Sequence, residues 1–221
     1  MNDAVYARLC QETWGVDNPE VFGFSHADVN GQLTICFRGT KTPYEWLIDF
    51  LAWPLFPLQT TRDIRLGPVH AGFLAAAENL LPHVFALILA RGGPFALCGH
   101  SAGGALASVV GGLLAVNKHL PAEVVTFGAP RAGTEVLGAI LSRVPFRQYV
   151  YGGDPVPDVP TNPPFRHARE PLLQLGPRLN WALKDHSITH YINSLDQSHE
   201  RPPDDTARPS ANEPLAPGQT G

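Results

Sequence analysis

The run with the clearest capacity for chemistry is Gly99-His100-Ser101-Ala102-Gly103. It fits G-x-S-x-G, in which a serine on a tight strand-to-helix turn is pushed into a site as a nucleophile. Flanking glycines are needed where side chains would strike neighbouring strands. Gly104, Ala105, Ala107 and Ser108 continue the small residues, so that a helix can lie close to a sheet. The pattern alone recurs by chance, and its setting makes it informative. Phe95-Ala96-Leu97-Cys98 reads as a buried strand before it, and residues 102–118 read as a helix after it. A serine hydroxyl is a poor nucleophile at neutral pH, so a base must take its proton and a third group must hold that base. In sites of this type the chain order is serine, acid, histidine, which restricts the search to residues after Ser101.

Asp154, in Gly152-Gly153-Asp154-Pro155-Val156-Pro157, directly follows the strand-like segment Arg147-Gln148-Tyr149-Val150-Tyr151. Catalytic groups of open α/β sheets collect at the carboxyl ends of strands, where Ser101 also falls. Asp158, beyond a second proline, reads as a solvated loop carboxylate. Four histidines follow the acid: His167, His186, His190 and His199. His199 borders a polar tail and His167 lies in an Arg-flanked loop, so both read as surface residues. His186 and His190 share one face if their segment is helical, and His186 stands at its start, where a loop can present it. His186 is therefore the candidate base. Asp185 is not its expected orienter, because adjacent side chains diverge. A histidine pair at i and i+4 also suits a metal, but the zinc-protease helix carries Glu directly after the first His. Ser187 stands there and no third ligand is near, so no metal is expected.

The elements that must position these groups follow from pattern. Residues 3–12 suit a short helix. Val21-Phe22-Gly23-Phe24-Ser25 and Leu33-Thr34-Ile35-Cys36-Phe37 read as strands joined through Asn30-Gly31, a strong hairpin turn. Residues 73–91 form an apolar helical pattern that Pro82 should kink or break, ending at Gly92-Gly93. Residues 123–127 read as a strand and 133–143 as a helix. This alternation gives an α/β fold: a mostly parallel central sheet with helices on both faces, and the hairpin adding antiparallel strands at one side. Residues 1–196 are expected to form one domain, and the Pro-rich residues 197–221 a disordered tail.

Composition sets limits. Of 221 residues only 16% are charged, against about 25% in ordinary soluble domains, while 44% are hydrophobic. The net charge is -4 and Lys/Arg form no cluster, which excludes nucleic acid as an expected partner. The first residues lack a basic start before an apolar stretch, and no 18 apolar residues run uninterrupted. A cytoplasmic protein without a membrane span is the resulting expectation, with export by a less obvious route left open. Cys10, Cys36 and Cys98 are widely spaced, and free thiols in a reducing compartment are the default.

Several blocks together resemble the class 3 lipases. They are Phe37-Arg38-Gly39-Thr40, Trp46 with Asp49, Val69-His70-Ala71-Gly72-Phe73, the Gly99 to Gly104 run, Thr126-Phe127-Gly128-Ala129-Pro130-Arg131, Asp154-Pro155-Val156-Pro157, and Asp185-His186-Ser187 with Tyr191. The resemblance implies an α/β-hydrolase fold, carboxylester hydrolysis through an acyl-enzyme, and no cofactor. Carried over by position, Ser101, Asp154 and His186 would be the triad, and the N–H groups of Thr40 and Ala102 the oxyanion donors. His70 would hold a backbone turn. Fungal members carry a helical lid between the Thr40 and His70 blocks; here that stretch holds Leu51-Ala52-Trp53-Pro54-Leu55-Phe56-Pro57-Leu58, and the prolines oppose a regular helix. Trp53, Leu55 and Phe56 form either a substrate-facing wall or a segment of core. The implied partner is an ester or lipid, met as a soluble molecule or in transient contact with a lipid interface. Acylglycerol lipase, short-chain or aromatic-ester esterase, phospholipase A-like acyl hydrolase and a non-catalytic binding relative all remain open.

Overall fold

The computed structural model of the chain describes residues 3–14, 23–39, 60–63, 66–161, 163–178 and 180–200. In chain order its elements are α1 (Ala4–Trp14), β1 (Phe24–Val29), β2 (Gln32–Phe37), β3 (Thr60–Asp63), β4 (Gly67–His70), α2 (Ala71–Arg91), β5 (Phe95–His100), α3 (Ala102–Val116), β6 (Glu123–Phe127), α4 (Glu135–Ile140), β7 (Phe146–Tyr151), β8 (Leu173–Leu175) and α5 (Ile188–Glu200).

The hairpin turns on Asn30 and Gly31, at φ 54° and 78°, the left-handed pair that a two-residue turn requires. The Asp28 carboxylate accepts the Gly31 N–H at 2.8 Å. Such a turn sets Val29 opposite Gln32 and extends the pairing back to Phe24 opposite Phe37. The first strand therefore runs later than the apolar segment 21–25 suggested, through His26 and Asp28, because register outranks local apolarity at an edge. Val21 and Phe22 lie outside the described residues.

The main sheet has the order β1-β2-β5-β6-β7-β8. Only β1 is antiparallel; β2 through β8 run parallel. A separate pair, β3 with β4, is antiparallel. Side chains alternate between two cores. Leu33, Ile35, Phe37, Leu97 and Val124 face α2, α3 and α4, whereas Cys36, Ala96, Cys98, Val125 and Phe127 face α1 and α5. Burial on both faces explains why Phe95-Ala96-Leu97-Cys98 of β5 reads as a continuous apolar run. β8 was not expected, since Leu173-Gln174-Leu175 is too short to carry a periodic signal.

Of the kink or break expected at Pro82, the break does not occur: α2 runs through it to Arg91. Pro82 and Glu78 both lie on the exposed face, so the carbonyl that loses its N–H partner can bond to water. By length and composition α2 could cross a membrane. Here Leu74, Ala77, Val84 and Ile88 are instead packed into the core beside α3. The last helix continues through Glu200, past the expected boundary at residue 196.

Charge holds α1 in place. Asp3 accepts from Arg147 Nε at 2.5 Å and Nη2 at 2.9 Å, and from Tyr149 at 2.7 Å. Glu123 accepts from the same guanidinium and from Tyr6, each at 2.6 Å. Both carboxylates are buried, and each has the donors that burial demands. Arg8 and Asp196, 2.5 Å apart, join α1 to α5.

Candidate active site

Ser101 occupies the single residue between β5 and α3, at φ 59° and ψ -133°. For a side chain other than glycine this backbone costs about 1–3 kcal/mol, and the surrounding packing must hold it. The glycines show what holds it. A Cβ on Gly99 would collide with the carbonyl of Gly103, and one on Gly103 with the carbonyl of Phe37. The first clash is with the turn's own helix and only the second with a neighbouring strand, so the expectation that both would meet strands is half corrected. A Cβ on Gly104 would stand 2.7 Å from that of Ala129.

Asp154 follows β7, and His186 ends the 3-10 turn Leu183–His186 that leads into α5. The three side chains form one hydrogen-bonded line: His186 Nε2 is 2.8 Å from Ser101 Oγ, and His186 Nδ1 is 2.8 Å from Asp154 Oδ2. All three residues are buried. A carboxylate at Nδ1 fixes the tautomer with the proton on Nδ1, leaving Nε2 as acceptor for the serine hydroxyl. Asp154 is satisfied further by Tyr191, whose hydroxyl donates to Oδ2 at 2.5 Å, and by the Val156 N–H, which donates to Oδ1 at 2.9 Å. Burial and the adjacent Asp154 push the Tyr191 hydroxyl far above its ordinary pKa, so it remains a donor.

Three supporting features escaped the sequence. Gly128, at φ 56°, sits under this hydrogen-bonded line: a Cβ there would lie 2.7 Å from Asp154 Oδ2, 2.9 Å from Tyr191 Oη and 3.0 Å from His186 Nδ1. The Asp185 carboxylate accepts the Gly153 N–H at 2.9 Å and so tethers the loop carrying Asp154 to the turn carrying His186. The ring of His100 stacks on His186 at 4.6 Å, and its Nε2 lies 2.8 Å from the His186 carbonyl. Gly128 stood within a resembling block and Asp185 beside the base, yet only contacts between distant segments reveal their parts.

The other candidates are placed too, except His199, whose side chain lies outside the described residues. Asp158 is held by both oxygens on Arg178, at 2.8 and 2.9 Å. His190 packs on the ring of Tyr151 at 5.0 Å. His167 is a correction. It is buried rather than on the surface, with Nε2 2.8 Å from the Pro157 carbonyl and Nδ1 3.3 Å from Gln148. His70 packs between Phe73 and Phe165. Thr40, Trp53, Leu55 and Phe56 lie outside the described residues. Ala102 opens α3, where the first N–H groups have no acceptor within the helix and face an anion placed beside Ser101.

Three of these histidines make the fold acid-sensitive. Burial lowers His70 to about 4, holds His100 well below its ordinary value with the adjacent His186 adding to the effect, and lowers His167. Their unfolded forms take up protons near pH 6.5, so below that pH the unfolded chain binds more protons than the folded one. Stability is full above about 6.5 and falls as the pH descends toward the folded pKa values. His70 alone should cost about 2 kcal/mol between neutrality and pH 5. Urea midpoints measured near pH 7 and near pH 5 should fall accordingly; equal midpoints would refute the assignment.

The chain matches the family model described as Lipase (class 3) over residues 34–163. It belongs to the class 3 lipase family. Among its relatives, secreted mono- and diacylglycerol lipase 1 of Fusarium solani is 30% identical over 137 residues, covering 58% of this chain and 39% of that one. Phospholipase A1 EG1, chloroplastic/mitochondrial, of Oryza sativa subsp. indica is 32% identical over 133 residues, covering 48% and 30%. The chain thus spans about two fifths or less of the length of these curated relatives. Their names give different cellular addresses, so membership of the class 3 lipases carries none. The solved structure of nonglycosylated Yarrowia lipolytica LIP2 lipase superposes with a TM-score of 0.63 at 20% identity, over 78% of each chain. The architecture of this class 3 lipase is the α/β-hydrolase fold.

Proposed function

We propose that this chain is a serine carboxylester hydrolase, with Ser101 as nucleophile, His186 as general base and Asp154 as the group that orients the base. The observation that carries it is the unbroken line from Ser101 Oγ through the His186 ring to Asp154, at 2.8 Å in both links, on a strained strand-to-helix turn. His186 Nε2 takes the hydroxyl proton as Oγ attacks the ester carbonyl. The oxyanion is received by the Ala102 N–H and by that of Thr40. The imidazolium returns its proton to the departing alcohol, and water activated by the same ring then releases the acid. The described elements serve as one α/β domain, with no metal or cofactor assigned to any step.

The substrate we favour is an acylglycerol or similar lipid ester, with Trp53, Leu55 and Phe56 as the acyl-facing wall. Family membership and the name of the Fusarium relative support that choice. A phospholipase A reading draws on the name of the rice relative. A chain-length series of esters, assayed below and above the solubility limit of each, tests the choice. Rate should rise steeply once substrate aggregates form; a steady preference for short soluble esters would replace the lipid by a small-ester substrate. Labelling by a fluorophosphonate, mapped to Ser101, tests the chemistry itself. Absence of labelling in folded protein would leave a non-catalytic binding relative.

A further inference from the structure

The face of the sheet turned to α1 and α5 carries a group that ester hydrolysis leaves unused. Cys36 on β2 and Cys98 on β5 stand opposite each other across parallel strands, and Cys10 on α1 belongs to the same core. All three are buried free thiols. Their Sγ atoms lie within 4.8 Å of one another, and Cys36 Sγ is 3.4 Å from Cys10 Sγ. An atom bonded to three sulfurs at about 2.3 Å requires them roughly 3.3–4.0 Å apart. Small side-chain movements therefore bring this triangle to bonding distance. Among the described residues no carboxylate or imidazole joins the group, so its donor set is three thiols.

Charge selects the ligand. The surroundings are mainly hydrocarbon and aromatic, including Ala7, Leu9, Ala96, Val125 and Phe127, with the neutral Thr13 hydroxyl beside Cys36. Arg147, on the same side of the sheet, is already bound by Asp3 and Glu123. A monovalent ion on three thiolates would leave two negative charges in this medium and a divalent ion one, each costing several kcal/mol. A trivalent thiophile leaves none.

We propose that Cys10, Cys36 and Cys98 form a three-thiol site for trivalent arsenic, taken up as arsenous acid. Three As–O and three S–H bonds break, three As–S and three O–H bonds form, and three waters depart. Arsenic stays in the trivalent state, and the product is neutral. Entry requires α1 to lift locally from the sheet, with the Asp3–Arg147 and Arg8–Asp196 contacts opened, short of global unfolding. Once bound, arsenic joins α1, β2 and β5.

The test is native mass spectrometry of the full chain with arsenite and a phosphine reductant. The expected product gains one arsenic and loses three hydrogens, and the unfolding temperature climbs with arsenite concentration. Cys10→Ala, Cys36→Ala and Cys98→Ala should each weaken binding by about 100-fold, the loss of one intramolecular bond. A gain of one arsenic with a retained hydroxyl would mean that only two thiols bind, and would overturn the site. So would the absence of any mass gain, or zinc bound at the same thiols more tightly than arsenite. If a variant fails to fold, the wild-type mass still decides between three thiols and fewer.

Discussion

Replacing Ser101 with alanine is expected to lower kcat/KM by on the order of 10⁴–10⁶ and to abolish fluorophosphonate labelling, while the fold persists. The hydroxyl is the only part of the residue engaged with His186, and its loss leaves the Asp154–His186 bond in place. A folded variant that kept even a tenth of the native turnover would place the nucleophile elsewhere. The same position allows the backbone strain to be read apart from the chemistry. Ser101→Gly should be as inactive as Ser101→Ala but more stable by about 1 kcal/mol, because only glycine adopts a φ of 59° without penalty. Urea denaturation of the two inactive variants provides that comparison.

The next largest effect is expected at a residue with no functional group. In Gly128→Ala the new methyl would stand 2.7–3.0 Å from an oxygen of Asp154, the hydroxyl of Tyr191 and a ring nitrogen of His186. Those atoms are hydrogen-bonded to one another at 2.5 and 2.8 Å, so none can yield without breaking the line that holds the base. A misplaced base costs rate more than binding, so kcat should fall by about 100-fold or more with little change in KM. Gly31→Ala is the control. Gly31 also has a positive φ, 78°, but a Cβ there meets nothing within 4 Å. Its substitution should cost about 1 kcal/mol of stability and no activity. Equal activity in the two variants would remove the wedge from the account.

These cases show what a single chain of letters discloses and what it withholds. The strand-turn-helix around Ser101 was legible because a local pattern of small residues and an apolar run both report on one short segment. Asp154 and His186 were legible through order and position at element ends. His167 was misread because its environment is non-local: Gln148 lies on β7, and the Pro157 carbonyl belongs to the acid loop. At Pro82 the break, one of the two outcomes expected, did not occur, for a related reason. The rule against proline inside helices assumes the abandoned carbonyl is buried, and which face of α2 meets solvent is decided by α3. The clustering of Cys10, Cys36 and Cys98 was likewise hidden, since wide spacing in sequence says nothing of a shared sheet face.

The separations along the chain carry a consequence for how activity first arises. The nucleophilic turn is built from neighbouring residues, but its base comes 85 positions later. The helix nearest the amino end closes on α5 through Arg8 and Asp196, 188 positions apart. With His186 as the proposed base, a nascent chain halted before it would carry a serine without that proton acceptor. On the proposed roles, hydrolysis would begin only once residue 186 has been made and folded against Ser101.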